Sequence, residues 1–253
     1  NPERIIAIKK NIRVRNVSYS YTNDVNVLKD VDLEIKAGEH TAVVGLSGVG
    51  KTTLLDLIVG LLKPTKGEIT YGDQILNQSE LEHLRNRVSY VPQGGVLFTG
   101  TLLENIMFGT DSLDNKKLKK SLEIANVYEF LDTMPQGLET QMGEGGFTLS
   151  GGQRQRLILA RALYRSPEII ILDEATSELD SVTQNTFIKA LNQLKGYATI
   201  LTVAHRLSNV QDANVVYVIR DGMVVESGSI DELILLNGYF VKMYNSELGL
   251  KGK

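Results

Sequence analysis

The 253-residue sequence contains no cysteine, which excludes disulfide bonds, thiolate nucleophiles and cysteine-ligated metal sites. Its 27 lysine and arginine residues are outnumbered by 30 aspartate and glutamate residues. The resulting net charge of −3 gives no basic excess to attract nucleic acid, so we predict no nucleic-acid partner.

Long apolar runs are also missing. The longest aliphatic segments, such as residues 169–172, have the length of a β-strand and are too short to cross a bilayer. The sequence shows no secretory signal peptide, no low-complexity tract and no long internal repeat. Because it begins with Asn1-Pro2, we expect a domain cut from a longer polypeptide.

The patterns that are present alternate between strand and helix. Strands are predicted at residues 12–21, 31–35, 41–46, 67–72, 88–91, 169–172, 199–203, 215–219 and 223–226. Helices are predicted at residues 51–62, 102–106, 118–125, 127–131, 181–194 and within 230–248. This order predicts an α/β fold with a mainly parallel sheet, helices on both faces and an antiparallel β part near the N-terminus.

Strand patterns vanish between about residues 101 and 164, which predicts an α-helical lobe inserted into the α/β core. We therefore expect one domain over residues 1–253. Its core would comprise about residues 1–94 and 165–253, and its helical lobe about residues 95–164.

Residues 45–52 match the phosphate-loop pattern G-x-x-x-x-G-K-[ST], after an apolar strand and at the start of a helix. Glycines in such a loop let backbone N–H groups surround the phosphates. Lys51 reaches the β and γ phosphates, with a part in catalysis, and the Thr52 hydroxyl coordinates Mg²⁺. The predicted nucleotide-binding residues here are Gly45, Leu46, Ser47, Gly48, Val49, Gly50, Lys51, Thr52 and Thr53.

Two carboxylates, Asp173 and Glu174, follow the buried strand pattern at residues 169–172. The C-terminal ends of strands are where α/β sheets bind their ligands. Asp173 suits the Mg²⁺ shell, usually through water, and Glu174 is placed to polarise the water that attacks the γ phosphate. A solvated acidic turn is the alternative, and the phosphate loop makes it the weaker one.

A second phosphate-binding pattern, L-S-G-G-Q, occupies residues 149–153, which we call the signature segment. It precedes a predicted helix, and a helix N-terminus offers unpaired N–H groups and a partial positive charge. A simple Gly-Gly turn is the structural alternative. The phosphate loop and the signature segment together make the chain resemble the ATP-binding-cassette (ABC) ATPases. The resemblance extends from about residue 12 to 248.

This resemblance assigns further roles. It implies that Tyr21 stacks on adenine, and that Gln93 contacts Mg²⁺ and the attacking water and links the core to the helical lobe. His205 resembles the switch histidine that contacts the γ phosphate. Residues 177–180 resemble the D-loop, where the family more often has alanine in place of Glu178, a change expected to modulate the dimer seam.

The resemblance also explains why one chain carries two phosphate-binding patterns. In ABC ATPases the phosphate loop of one subunit and the signature segment of another enclose the same ATP. A two-fold pair thus completes two sites. Ser150, Gly151, Gly152 and Gln153, with a helix starting near Gln153, would contact the γ phosphate bound by the second subunit. The implied ligands are ATP and Mg²⁺, and the implied partner is a second ABC ATPase domain, identical or closely paralogous.

Local segments resemble those of ABC exporters. Residues 142–146 resemble the exporter pattern V-G-E-x-G, and residues 98–106 resemble L-F-x-G-T-I-x-E-N-I. They imply a motor domain whose membrane helices lie upstream in the same polypeptide, at the cytoplasmic face of a membrane, by resemblance a bacterial inner membrane. Ile106 and its neighbours would form the groove that receives cytoplasmic loops of the membrane domain.

Other functional classes stay open from the sequence. A soluble ABC ATPase of DNA repair, chromosome organisation or translation is disfavoured, because there is no coiled-coil heptad run and only one cassette. An importer subunit usually lacks the V-G-E-x-G segment. A P-loop kinase would not explain the signature segment or His205.

Overall fold

The structure, a computed structural model, describes residues 10–22, 25–143, 147–175, 181–204 and 210–247. The strands within these ranges are β1 (Ile12–Ser20), β2 (Asn26–Ile35), β3 (His40–Val44), β4 (Lys66–Tyr71), β5 (Val88–Val91), β6 (Gly100–Thr101), β7 (Gln141–Met142), β8 (Ile169–Asp173), β9 (Thr199–Ala204), β10 (Val215–Arg220) and β11 (Met223–Gly228). The α-helices are α1 (Lys51–Ile58), α2 (Gln78–Arg85), α3 (Leu102–Met107), α4 (Asn115–Ile124), α5 (Tyr128–Leu131), α6 (Gly151–Tyr164), α7 (Ser181–Asn192), α8 (Ile230–Leu236) and α9 (Tyr239–Glu247).

A mixed sheet with strand order β11-β10-β3-β9-β8-β5 forms the centre of the described chain. Strands β10 to β5 in that order are parallel, and β11 pairs antiparallel with β10 through the turn at Asp221-Gly222. Both turn residues have positive φ, 51° and 81°, as a two-residue hairpin turn requires. The predicted α/β class with a mainly parallel sheet is confirmed.

The antiparallel part lies in a separate sheet in which β1 is flanked by β2 and β4. Inward-facing residues of β1, such as Ile12, Val14 and Val17, are almost fully buried. The predicted N-terminal antiparallel β part is therefore confirmed.

Strand β8 shows why the central strands are apolar throughout. Ile169 and Ile171 pack into one hydrophobic cluster with α1 and the antiparallel sheet. Ile170 and Leu172 pack into another with α3, α4 and α6. A strand covered on both faces has no solvent side, so every position is apolar until Asp173 at its C-terminal end.

Helices α3 to α6 pack together around buried residues such as Leu102, Leu122 and Leu157, as the helical pattern predicts. The structure also contains two two-residue strands, β6 directly before α3 and β7 in the segment before α6. These two strands pair antiparallel. They are too short to give a periodic pattern. The boundaries near residues 95 and 164 stay a prediction.

Helices α1 and α2 differ most from the sequence-based prediction. Helix α1 ends at Ile58 and not at residue 62, because Gly60 takes φ +70° and the N–H groups of Leu61 and Leu62 turn back to the Asp56 carbonyl. Helix α2 has no counterpart among the predicted helices, because Leu84 is its only fully buried residue and the apolar periodicity is weak. Its capping box, formed by Asn77 and Glu80, is the signal that could have found it.

Among the described residues, no helix is long and apolar enough to cross a bilayer.

A buried histidine at the start of β3 makes the stability of the fold depend on pH. His40 is 3% exposed, and its Nε2 lies 2.8 Å from the Thr202 hydroxyl. Burial, reinforced by the charge of Lys195, lowers the pKa of His40 from 6.5 to about 4, and the charge of Asp212 opposes this. The unfolded chain therefore binds an extra proton between these two pKa values, which favours unfolding as the pH falls.

We expect the free energy of unfolding to be about 2 kcal/mol lower at pH 5 than at pH 7 because of this group. Denaturant unfolding at both pH values measures the difference. His40→Gln should remove that pH-dependent loss, whereas His83→Gln, on the exposed surface of α2, should keep it. An equal loss in the His40→Gln variant would show that other groups control the acid response.

Candidate nucleotide-binding site

The phosphate loop joins the C-terminal end of β3 to the N-terminus of α1. Gly48 and Gly50 take φ values of +81° and +100°, a conformation that disfavours side chains. A Cβ on Gly45 would lie 2.5 Å from the carbonyl oxygen of Ile219 on β10, so only glycine fits there. A Cβ on Gly48 would meet nothing within 4 Å, which leaves open space beside the loop.

Lys51, the first residue of α1, is buried within this loop. Its ammonium group donates hydrogen bonds to the carbonyl oxygens of Gly45, at 2.8 Å, and Leu46, at 2.9 Å. Burial lowers the pKa of Lys51, while the charges of Glu174 and Asp173 act in the opposite direction. The fold therefore brings the predicted phosphate-binding lysine and the two predicted carboxylates within electrostatic reach of each other.

Asp173 ends β8 at the same edge of the sheet as the phosphate loop, because both follow parallel strands. Its Oδ2 accepts a hydrogen bond from the Tyr90 hydroxyl at 2.6 Å. Burial and the nearby Asp173 charge raise the pKa of Asp56 on α1. Asp56 and Asp173 thus place negative charge next to the phosphate loop, and negative charge favours a bound cation.

Glu174 follows directly and takes a left-handed backbone conformation, with φ +49°. Its N–H group donates to the carbonyl oxygen of Val203 on β9, at 2.9 Å. A positive φ at a non-glycine residue costs free energy and is characteristic of functional sites. The turn fixes the direction in which the chain leaves β8.

Two further predicted residues lie near this edge. Tyr21 is 62% exposed and its hydroxyl lies 3.1 Å from that of Thr53 on α1, beside the phosphate loop. The ring of Tyr19 packs edge-on against Tyr21, with the ring centroids 5.0 Å apart. Gln93 is exposed and follows the C-terminal end of β5, the strand next to β8.

The donor atoms at this edge fit a magnesium ion. The Thr52 hydroxyl, the Asp173 carboxylate and the Gln93 amide supply oxygen ligands of the kind that Mg²⁺ prefers. In the described ranges no three His, Cys, Asp or Glu residues cluster to hold a metal by themselves. Such a set fits Mg²⁺ that is shared between one or two protein groups and substrate phosphates.

The signature segment lies at the start of α6, on the helical lobe. The Ser150 hydroxyl accepts from the Gln153 N–H at 3.2 Å, and the Gln153 side-chain oxygen accepts from the Ser150 N–H at 2.9 Å. This capping box starts the helix at Gly151, two residues before the predicted start. Ser150 and Gly151 are exposed, and a Cβ on Gly151 would meet nothing within 4 Å.

Three predictions lie outside the described residues. They concern His205, the D-loop-like residues 177–180, and residues 144–146 of the exporter-like segment. Their roles stay predictions.

The prediction that Ile106 and its neighbours form a docking groove is wrong for Ile106 itself. Ile106 is fully buried in the helical core, because α3 turns this face toward α6. Asn105, its neighbour, is also buried, and its side chain binds the backbone of Phe98 and the carbonyl oxygen of Thr101. Asn105 and Ile106 are therefore part of the interior of the helical lobe.

An exposed surface next to it fits a docking groove better. The rings of Phe98 and Phe108 stack with centroids 4.3 Å apart, and the Arg161 guanidinium lies over both, 5.2 and 5.8 Å from their centroids. With Val96 and Ile158 these residues line a cavity of about 360 Å³, which we call the aromatic groove. No sequence pattern singles out Phe108 or Arg161, and the arginine, on α6, is distant in sequence from both rings.

Comparison with known proteins agrees with this geometry. The ABC transporter family model matches residues 28–177. The chain is 39% identical over 240 residues to the heterocyst differentiation ATP-binding protein HepA of Nostoc sp., covering 95% of the chain and 40% of that protein. It is 39% identical over 239 residues to the ATP-dependent lipid A-core flippase of Desulfotalea psychrophila, covering 94% and 42%.

A solved structure of a bacterial Atm1-family ABC exporter with ATP bound superposes with a TM-score of 0.85 at 32% identity. The match covers 94% of this chain and 42% of that one. The chain thus spans about two fifths of the length of these relatives.

The sheet, the phosphate loop and the carboxylates at one edge define a P-loop nucleotide-binding protein with an added helical lobe. The chain belongs to the ABC transporter family, and it is similar to the part of an ABC exporter that it matches.

Proposed function

We propose that the chain is the motor domain of an ABC exporter, which dimerises around two ATP molecules and hydrolyses them to drive export. One observation carries the proposal. The phosphate loop and the two carboxylates share one edge of the sheet, whereas the signature segment lies exposed on the helical lobe. A second subunit can therefore supply the signature segment that completes each site.

Different protein groups would bind the ATP phosphates, the magnesium ion and the adenine base. Lys51, with the backbone N–H groups of the phosphate loop, would hold the β and γ phosphates and stabilise charge on them. Thr52, Asp173 and Gln93 would hold Mg²⁺, which when bound neutralises charge on the phosphate oxygens. Tyr21 would stack on adenine, and its bond to Thr53 already keeps it beside the loop.

Hydrolysis would then depend on Glu174. Its carboxylate would orient a water molecule and take its proton as the water oxygen bonds to the γ phosphorus. The bond from the γ phosphorus to the β–γ bridging oxygen breaks, and ADP and phosphate are formed. Gln93 would contact the attacking water, and His205 would contact the γ phosphate.

The signature segment of the second subunit would close the site. Ser150, Gly151 and Gly152 would meet the γ phosphate through the N-terminus of α6 and the exposed serine hydroxyl, with Gln153 adjacent. ATP would then hold the two subunits together, and hydrolysis would release them. Identical subunits or close paralogues both satisfy this arrangement.

The aromatic groove would receive the membrane domain. It combines exposed aromatic rings with a stacked arginine, the composition of a protein interface. The membrane helices would lie upstream in the same polypeptide and place this domain at the cytoplasmic face, by resemblance of a bacterial inner membrane.

The experiment that tests this function is light scattering on the Glu174→Gln variant with and without Mg-ATP. We expect a monomer without nucleotide and a dimer with Mg-ATP, because the variant binds ATP but hydrolyses it slowly. Adding Ser150→Arg should abolish the dimer, since a bulky cation would occupy the seam. Ser79→Arg, on the exposed first turn of α2, is the control and should dimerise normally. A dimer that persists with Ser150→Arg would contradict the proposed seam.

A further inference from the structure

Tyr90 makes a contact with the candidate metal site that no motif predicts. It lies on β5, three residues before Gln93, and its hydroxyl donates to Oδ2 of Asp173 at 2.6 Å. The donor and acceptor are 83 residues apart in the sequence.

The register of the sheet explains how the two side chains meet. Strands β5 and β8 are parallel, and Tyr90 pairs with Ile171. Because side chains alternate along a strand, Ile171 and Asp173 share a face of the sheet. A tyrosine is long enough to reach along that face from residue 90 to the carboxylate at the end of β8.

The bond contributes little to the fold. Tyr90 is 48% exposed, so water competes for this hydrogen bond and its loss should leave the fold intact. The bond does constrain Asp173, because the hydroxyl engages one of the two carboxylate oxygens.

We infer that Tyr90 is a positioning residue that orients the Asp173 carboxylate for Mg²⁺, an inference that rests on the proposed function. By holding Oδ2, the hydroxyl limits rotation of the carboxylate. Partners that hold a metal ligand in this way commonly change metal affinity by about 10- to 100-fold when they are removed.

The test compares nucleotide binding with and without magnesium. A fluorescent, non-hydrolysable ATP analogue is titrated into the full chain in excess Mg²⁺ and in EDTA, and the ratio of the two Kd values is measured. Tyr90→Phe keeps the ring and removes only the hydroxyl. We expect it to lower the magnesium-dependent gain in affinity about tenfold and to leave the Kd in EDTA unchanged.

Tyr128→Phe, on the exposed surface of α5, is the matched control and should behave like the wild type. Thermal unfolding of each variant reports on the fold. An unchanged magnesium-dependent gain in Tyr90→Phe would overturn the inference, as would equal weakening in EDTA and in Mg²⁺, which marks a structural role. A wild-type chain with no magnesium-dependent gain would instead refute the metal site of the proposed function.

Discussion

Replacing Glu174 with glutamine is expected to lower ATP turnover by at least about a hundredfold while the Kd for ATP changes little. A positioned general base contributes about 10²- to 10⁴-fold to rate, and an amide cannot accept the proton of the attacking water. Glutamine has the same shape, so it can follow the same left-handed turn after β8. Steady-state phosphate release measures the turnover, and fluorescence titration measures the Kd.

The matched control for this variant is Glu168→Gln. Glu168 lies just before β8, at the opposite end of the strand, and pairs with Arg87. It is far from the edge that carries the phosphate loop, so its replacement should leave turnover near the wild-type value. Near-normal turnover in Glu174→Gln would remove the role assigned to this carboxylate and leave the base to another group.

The second large effect is expected for Lys51→Ala, which should raise the Kd for ATP roughly a hundredfold. The lysine ammonium is buried and held by the carbonyl oxygens of Gly45 and Leu46, close to where phosphates would lie. Losing a charge-assisted bond to phosphate costs about 2–3 kcal/mol, and 1.4 kcal/mol corresponds to about tenfold in Kd. Turnover should fall with the binding.

Lys63→Ala is the control for charge, because Lys63 is exposed in the loop after α1. Circular dichroism should show that Lys51→Ala folds, since alanine favours helix and Lys51 is only the first residue of α1. An unchanged Kd for ATP in the folded Lys51→Ala variant would contradict the phosphate-loop assignment itself.

Together the two variants separate binding from chemistry. Glu174→Gln should bind ATP and dimerise without rapid hydrolysis, whereas Lys51→Ala should lose binding and therefore dimerisation as well. If both variants lost binding equally, the Glu174 carboxylate would be needed for nucleotide binding, and its assignment as the catalytic base would lose its support.

Helix α2 and the docking surface show where sequence-based reasoning failed. The capping-box residues Asn77 and Glu80 start a helix whose face is mostly exposed, so apolar periodicity, the main helix signal, is weak there. The exporter-like pattern at residues 98–106 predicts a docking groove at Ile106 and its neighbours, and Ile106 itself is fully buried. Its burial depends on how α3 packs against α6, which a local motif does not encode.

Apart from α2, β6 and β7, the order of strands and helices follows from the sequence, as do the phosphate loop, the carboxylate pair and the signature segment. Each of these depends on neighbouring residues, because a glycine turn, a helix cap or a buried strand is specified within about ten positions. No sequence pattern predicts that Tyr90 contacts Asp173 or that Phe98, Phe108 and Arg161 form one groove; these contacts follow from the folded arrangement. Tyr90 and Asp173, and likewise Arg161 and Phe98, are distant in the chain, so strand register and helix packing are needed to bring them together.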